Sequence, residues 1–113
     1  MELVSLVISN DNIGQTTNLI KKAEWENVFI ISNQDSLPID KKYNLIKLNP
    51  ENRLVDMKND ILKKLKGRIK GTEVALSIAS GSGKEHMAII SALLSIPVGI
   101  RFVALTKDGV VYL

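Results

Sequence analysis

Apolar residues along the chain alternate between short unbroken runs and longer stretches with helical spacing. Leu3 to Ile8 is a near-continuous apolar run stopped by Ser9-Asn10-Asp11-Asn12, which predicts a strand buried on both faces. Ile13 to Glu26 places Ile13, Thr16, Thr17, Ile20, Ala23 and Trp25 near one side, the pattern of an amphipathic helix, with Trp25 and Tyr43 read as packing or rim residues. Asn12 is its expected cap, with Gln15 at the reciprocal position of a capping box. Val28 to Ile31 predicts a second buried strand, Ser32 to Tyr43 a turn-rich connection, and Leu45 to Leu48 a short third strand closed by Asn49-Pro50. From Arg53 to about Ile69 the spacing is helical again. Leu54, Met57, Ile61, Leu62 and Leu65 share one face, and lysines gather toward the C-terminal end, where the helix dipole favours cations. Val74 to Ala79 predicts a fourth strand, Met87 to Ser95 a strongly apolar helix, and Val98 to Leu105 a fifth strand. Lys107-Asp108-Gly109 reads as a hairpin turn into a last strand, Val110 to Leu113.

This order predicts an α/β fold: a Rossmann-like three-layer sandwich with a mostly parallel sheet and a C-terminal antiparallel hairpin strand. The 113 residues are read as one domain, 1–113. A chain of this length buries roughly two-thirds of its unfolded surface, enough for a core without metal or disulfide staples. The absence of cysteine excludes a disulfide scaffold and thiol catalysis and fits a reducing, cytoplasmic setting. No apolar run reaches the ~18 residues of a membrane span, and the start of the chain lacks the basic region of a signal peptide. Net charge is +3, mildly favourable for an anionic ligand. The basic face from Lys58 to Lys70 reads as a solvated surface. With one Trp, two Tyr and two Phe there is little stacking surface, so direct DNA binding is not expected.

In an open parallel sheet, ligands bind beyond the C-terminal ends of the strands, where the strand order reverses. With a first-half order 3-2-1 and the second half growing outward from strand 1, the loops after the first and fourth strands flank that crevice. They carry Ser9, Asn10 and Asp11, and Ser80, Gly81, Ser82, Gly83 and Lys84. Ser82 with Glu85 reads as a capping box, and the glycines as a tight strand-to-helix turn. Neither explains Lys84, a cation in the first turn of a helix, where the dipole disfavours it unless an anion is bound. Loop N–H groups with Ser80, Ser82 and Lys84 would make a phosphate cradle. The segment is not a Walker A loop: position 78 is Ile, and Lys84 is followed by Glu85 in place of Ser or Thr. His86, the one histidine, is either a water-facing residue or a proton relay, and it has no second nitrogen ligand for a metal. No metal or other cofactor is called for.

The stretch Ala79-Ser80-Gly81-Ser82-Gly83-Lys84-Glu85-His86-Met87-Ala88, with the element order and the following Gly99 to Thr106, resembles the CRISPR-associated Rossmann-fold (CARF) domains, in particular archaeal members. The likeness in architecture runs over the whole chain, and that in residues from about Val74 onward. It implies a homodimer whose joined crevices hold a cyclic oligoadenylate, an antiviral second messenger, typically the four-adenylate ring. Ligand-binding positions carried over are Ser9, Asn10, Asp11, Ser80, Gly81, Ser82, Gly83 and Lys84. With no effector domain after the sheet, the resemblance implies either a metal-independent ring nuclease or a sensor acting through a separate effector protein. In the nuclease, the ribose 2′-hydroxyl would attack the scissile phosphate, Lys84 with loop N–H groups would stabilise the developing charge, Ser9, Asn10 or Ser82 would orient the ribose, and His86 would assist proton transfer if it points inward. Arg101 would add charge to the site, and Asp11 would turn away toward the helix N-terminus. The alternative is a Rossmann-like nucleotide, phosphometabolite or protein-interaction module without catalysis.

Overall fold

The computed structural model describes all 113 residues. Its elements are β1 (Glu2–Val7), α1 (Ile13–Lys22), β2 (Val28–Ser32), β3 (Asn44–Lys47), α2 (Leu54–Leu65), β4 (Glu73–Ser77), α3 (Gly83–Ser95), β5 (Gly99–Thr106) and β6 (Gly109–Tyr112). The strands form one sheet in the order β3-β2-β1-β4-β5-β6. Every pairing is parallel except that of β5 with β6, so the α/β sandwich with a terminal antiparallel hairpin is the fold observed.

Side-chain alternation along the strands builds a core on each face. Val4, Leu6, Phe29, Ile31, Ile46, Val74 and Leu76 pack under α2 and α3, together with Met57, Ile61, Leu65, Ile89 and Leu93. Leu3, Val7, Val28, Ile30, Ala75 and Val103 point to the other face, under Leu19 and Ile20 of α1 and Leu37 of the β2–β3 connection. β1 is buried along its whole length because it lies mid-sheet and contributes to both cores. Its two polar residues are satisfied internally. Ser5 shares a 2.7 Å hydroxyl bond with Thr16 of α1, and the Glu2 carboxylate accepts from Asn27 Nδ2 and from the Lys70 and Gly71 N–H groups.

Two helices stop earlier than their apolar spacing predicts. α1 ends at Lys22, not Glu26, because Ala23 is extended (φ −139°, ψ 161°) and the Trp25 indole donates to the Leu19 carbonyl at 2.8 Å. That carbonyl is the one a continuing helix would use for the Ala23 N–H. α2 ends at Leu65, not Ile69, where Lys66 leaves helical geometry and Gly67 turns to φ 81°. No helix is long and apolar enough to cross a membrane.

Candidate functional site

The order of the sheet reverses between β1 and β4, so the loops leaving these two strands stand side by side at its C-terminal end. They are fastened directly. Ser80, almost fully buried, accepts the Ile8 N–H on its Oγ at 2.9 Å, and Asn12 Nδ2 donates to the Ala79 carbonyl at 2.5 Å. A third loop joins from β2: Asn33 Oδ1 accepts the Ser9 N–H, and Asn33 Nδ2 donates to Ser9 Oγ at 3.0 Å. The outcome is a platform with no deep cavity. Its exposed upper surface includes Ser9, Asn10, Asp11, Gly81, Ser82 and Gly83.

The backbone of the first loop is strained. Ser9, Asn10 and Asn12 all lie in the left-handed region (φ 52°, 62° and 54°), which non-glycine residues enter rarely and at a cost of about 1 kcal/mol or more each. In the second loop only glycine fits position 81. Its φ is 82°, and a Cβ there would stand 2.6 Å from Leu6 Cδ2 and 3.2 Å from Ile8 Cγ1. The N–H groups of these loops and helix starts without an acceptor in the protein include those of Asn10, Asn12, Gly14, Gly81, Gly83 and Lys84. That leaves a set of unpartnered donors at two neighbouring helix entries.

The Ser82–Glu85 capping box forms as its spacing predicts. The largely buried Glu85 carboxylate accepts from the Ser82 N–H and from Ser82 Oγ at 3.0 Å. The capping expected at α1 does not form. Asn12 is the N-cap but bonds Ala79, and the Gln15 amide pairs with the backbone N–H and carbonyl of Leu105 on β5. Asn12 thus serves the inter-loop contact and Gln15 ties α1 to the sheet.

Lys84 is where the structure changes the picture most. Its ammonium donates to the Pro50 carbonyl at 2.6 Å and the Asn52 carbonyl at 3.0 Å, in the connection between β3 and α2. Those carbonyls supply the compensation that a cation at a helix start needs, without a ligand anion. His86 folds back on its own loop, Nε2 standing 2.8 Å from the Ser80 carbonyl. A carbonyl only accepts, so Nε2 carries the proton and Nδ1 remains the free nitrogen. Asp11 stays exposed, and its carboxylate makes no hydrogen bond within the protein. Arg101 does not reach the platform. It pairs in register with Ala75, two residues short of the end of β4, and lies over the Tyr112 ring at 4.8 Å.

The structure therefore brings Ser9, Asn10, Asp11, Ser80, Gly81, Ser82 and Gly83 together and turns the Lys84 ammonium sideways. Asn33 carries no signal in the sequence beyond a polar residue after a strand, and the capping signal of Asn12 points to its own helix, not to Ala79. No group of three His, Asp or Glu side chains converges anywhere in the molecule. Comparison with known protein families, curated proteins and solved structures finds no match to this chain.

Proposed function

We propose that the platform binds a cyclic oligoadenylate as a CARF-like sensor, with two copies of the chain closing on one ring. The observation that carries this reading is the set of unpartnered N–H groups at two adjoining loops and helix starts at the reversal point of the sheet. Phosphodiester oxygens are anionic acceptors that such donors suit, and the low charge of the site favours recognition by backbone over side-chain cations. A ring has repeated phosphates, so two platforms related by a two-fold axis would meet equivalent halves of it. Met87, 57% exposed one turn into α3, gives a second copy an apolar contact beside the platform, and Leu94, 62% exposed two turns farther along the helix, extends it away from the platform.

Binding is favoured over cleavage. Each side chain that cleavage would call on is engaged within the protein: the Lys84 ammonium by Pro50 and Asn52, His86 Nε2 by Ser80, and Ser82 Oγ by Glu85. A nuclease would have to release Lys84 from both carbonyls before it could stabilise a pentacovalent phosphate.

Calorimetry with cyclic tri-, tetra- and hexa-adenylate tests the reading. One ring per two chains is the expected stoichiometry, with dimer formation checked by light scattering. No heat with any ring, or stabilisation by a mononucleotide alone, overturns it in favour of a different nucleotide or phosphometabolite module. Incubation with labelled ring tests the second half: intact ring is expected, and linear products would replace the sensor by a ring nuclease.

A further inference from the structure

At the opposite end of the sheet, where the parallel strands begin, three depressions merge into one trough. The first, about 290 Å³, lies on the α2 side against Arg68 and Lys70. It shares Asn27 and Asn44 with a second, about 230 Å³. The second shares Trp25, Val28 and Lys42 with a third of about 550 Å³ on the α1 side, bordered by Lys21 and Lys41. The trough thus runs from one face of the sheet to the other across the starts of β2 and β3.

Its cations outnumber its carboxylates. Lys21, Lys41, Lys42, Arg68 and Lys70 are all exposed, and none takes part in an ion pair. The three pairs in the molecule are Met1 with Glu26, Lys47 with Asp35, and Lys64 with Asp60. Two carboxylates line the trough. Glu26 is paired with the N-terminal ammonium at 2.7 Å, which leaves Glu24 at the surface, and the buried Glu2 carboxylate held by Asn27 and the Lys70 N–H beneath it, against five cations. Compensation of a helix dipole accounts for Lys21, in the last turn of α1, but not for the other four, which stand on connections. The aromatic partner is fixed too. Trp25, half-buried with its indole N–H held by Leu19, borders both the second and third depressions. Arg68 lies over the Phe29 ring, 5.4 Å from its centroid, which braces the guanidinium at the α2 end.

We propose that this trough binds single-stranded nucleic acid, with phosphates along the cations and a base against Trp25. Sequence reading sets nucleic acid aside because aromatics are few. The fold places the one tryptophan among the unpaired cations, which composition does not reveal. The path bends over the strand ends, a course that a flexible single strand follows and a stiff duplex follows only at a bending cost. An acidic peptide would match the charge but offers no base to stack on Trp25. This site is independent of the platform, and its failure would leave the cyclic-oligoadenylate reading untouched.

Because Trp25 is the sole tryptophan, its emission reports directly on the trough. Titration with oligouridylate and oligothymidylate of about 12 nucleotides, within the site sizes of single-strand binders, is expected to give saturable quenching that weakens with added salt. The tighter of the two identifies RNA or DNA as the source. Lys42→Glu should weaken the complex about tenfold and flatten the salt dependence. Lys107→Glu makes the same charge change in the β5–β6 turn, at the other end of the sheet, and should leave affinity within about twofold. Lys42 is exposed, and far-ultraviolet circular dichroism verifies that both variants are folded. Absence of quenching at low salt, equal losses from the two variants, or equal quenching by polyglutamate would each overturn the proposal.

Discussion

At the C-terminal ends of the strands, Ser9, Asn12, Asn33 and Ser80 direct their side chains to neighbouring loops, and Lys84 and His86 direct theirs to carbonyls. At the N-terminal ends, five cations face water with no carboxylate partner. The platform uses its side chains for architecture and offers backbone; the trough is also braced by side chains, Asn27, Asn44 and the Trp25 indole among them, but offers free cations to solvent. The first arrangement suits a small ligand whose shape must be matched, since strained loops hold their donors in fixed positions. The second suits a long polyanion, for which charge matters more than exact placement. Substitutions should therefore behave differently at the two ends: costly to stability at the platform, nearly silent at the trough.

Gly81→Ala should break the platform most severely. It puts a Cβ against Leu6 and Ile8 at a positive φ, and a loss of about 3 kcal/mol in urea denaturation is expected. A neutral result would mean that the loop shifts freely and is no fixed platform. Ser80→Ala comes next. It strips the acceptor from the Ile8 N–H in a buried position, and about 2 kcal/mol should be lost. Lys84→Ala should cost less, about 1 kcal/mol, because the Pro50 and Asn52 carbonyls are only part-buried and regain water. This variant sharpens the comparison most. If Lys84 is architectural, stability falls and any loss of ring affinity follows from it; if it acts on the ligand, affinity falls with stability intact.

The smallest effect is one of pH. The N-terminal ammonium bonded to Glu26, and the Lys47 ammonium bonded to Asp35, hold both carboxyls below their ordinary values. A lowered carboxylate pKa contributes stability that is present above the ordinary range and lost as pH falls through the lowered value. Both groups are fully exposed, so the change in stability should be slight. Protonation of Glu26 would, however, free the Met1 ammonium beside Trp25. A small change in tryptophan emission below about pH 4 is expected, and two-dimensional NMR should find the Asn33 and Ser80 amides unmoved over the same range.

The parts of this picture that sequence made legible are those written in local spacing. Strand and helix order follow from runs and periodicities, and the Ser82–Glu85 box from three residues' separation. Gly81 is legible as a turn residue, although its contact with Leu6 depends on the neighbouring strand. What stayed hidden depends on tertiary neighbours. Asn12 has two partners to choose from, its own helix or Ala79, and only the adjacency of β1 and β4 decides. Lys84 looked unpaired because Pro50 and Asn52 reach it from a different connection. The trough was invisible because Lys21, Lys42 and Lys70 stand on three separate segments, each unremarkable alone.

The Ile8–Ser80 hydrogen bond has a kinetic side. It joins residues 72 positions apart, and the Gln15–Leu105 pairing spans 90. Contacts of such span form only after the intervening chain has ordered, so they close late and open with the molecule as a whole. The platform then has no existence in a half-folded chain. Amide exchange at Ile8 should be as slow as that of the central strands, and a ligand seated there would slow the unfolding of the entire protein, not of one loop.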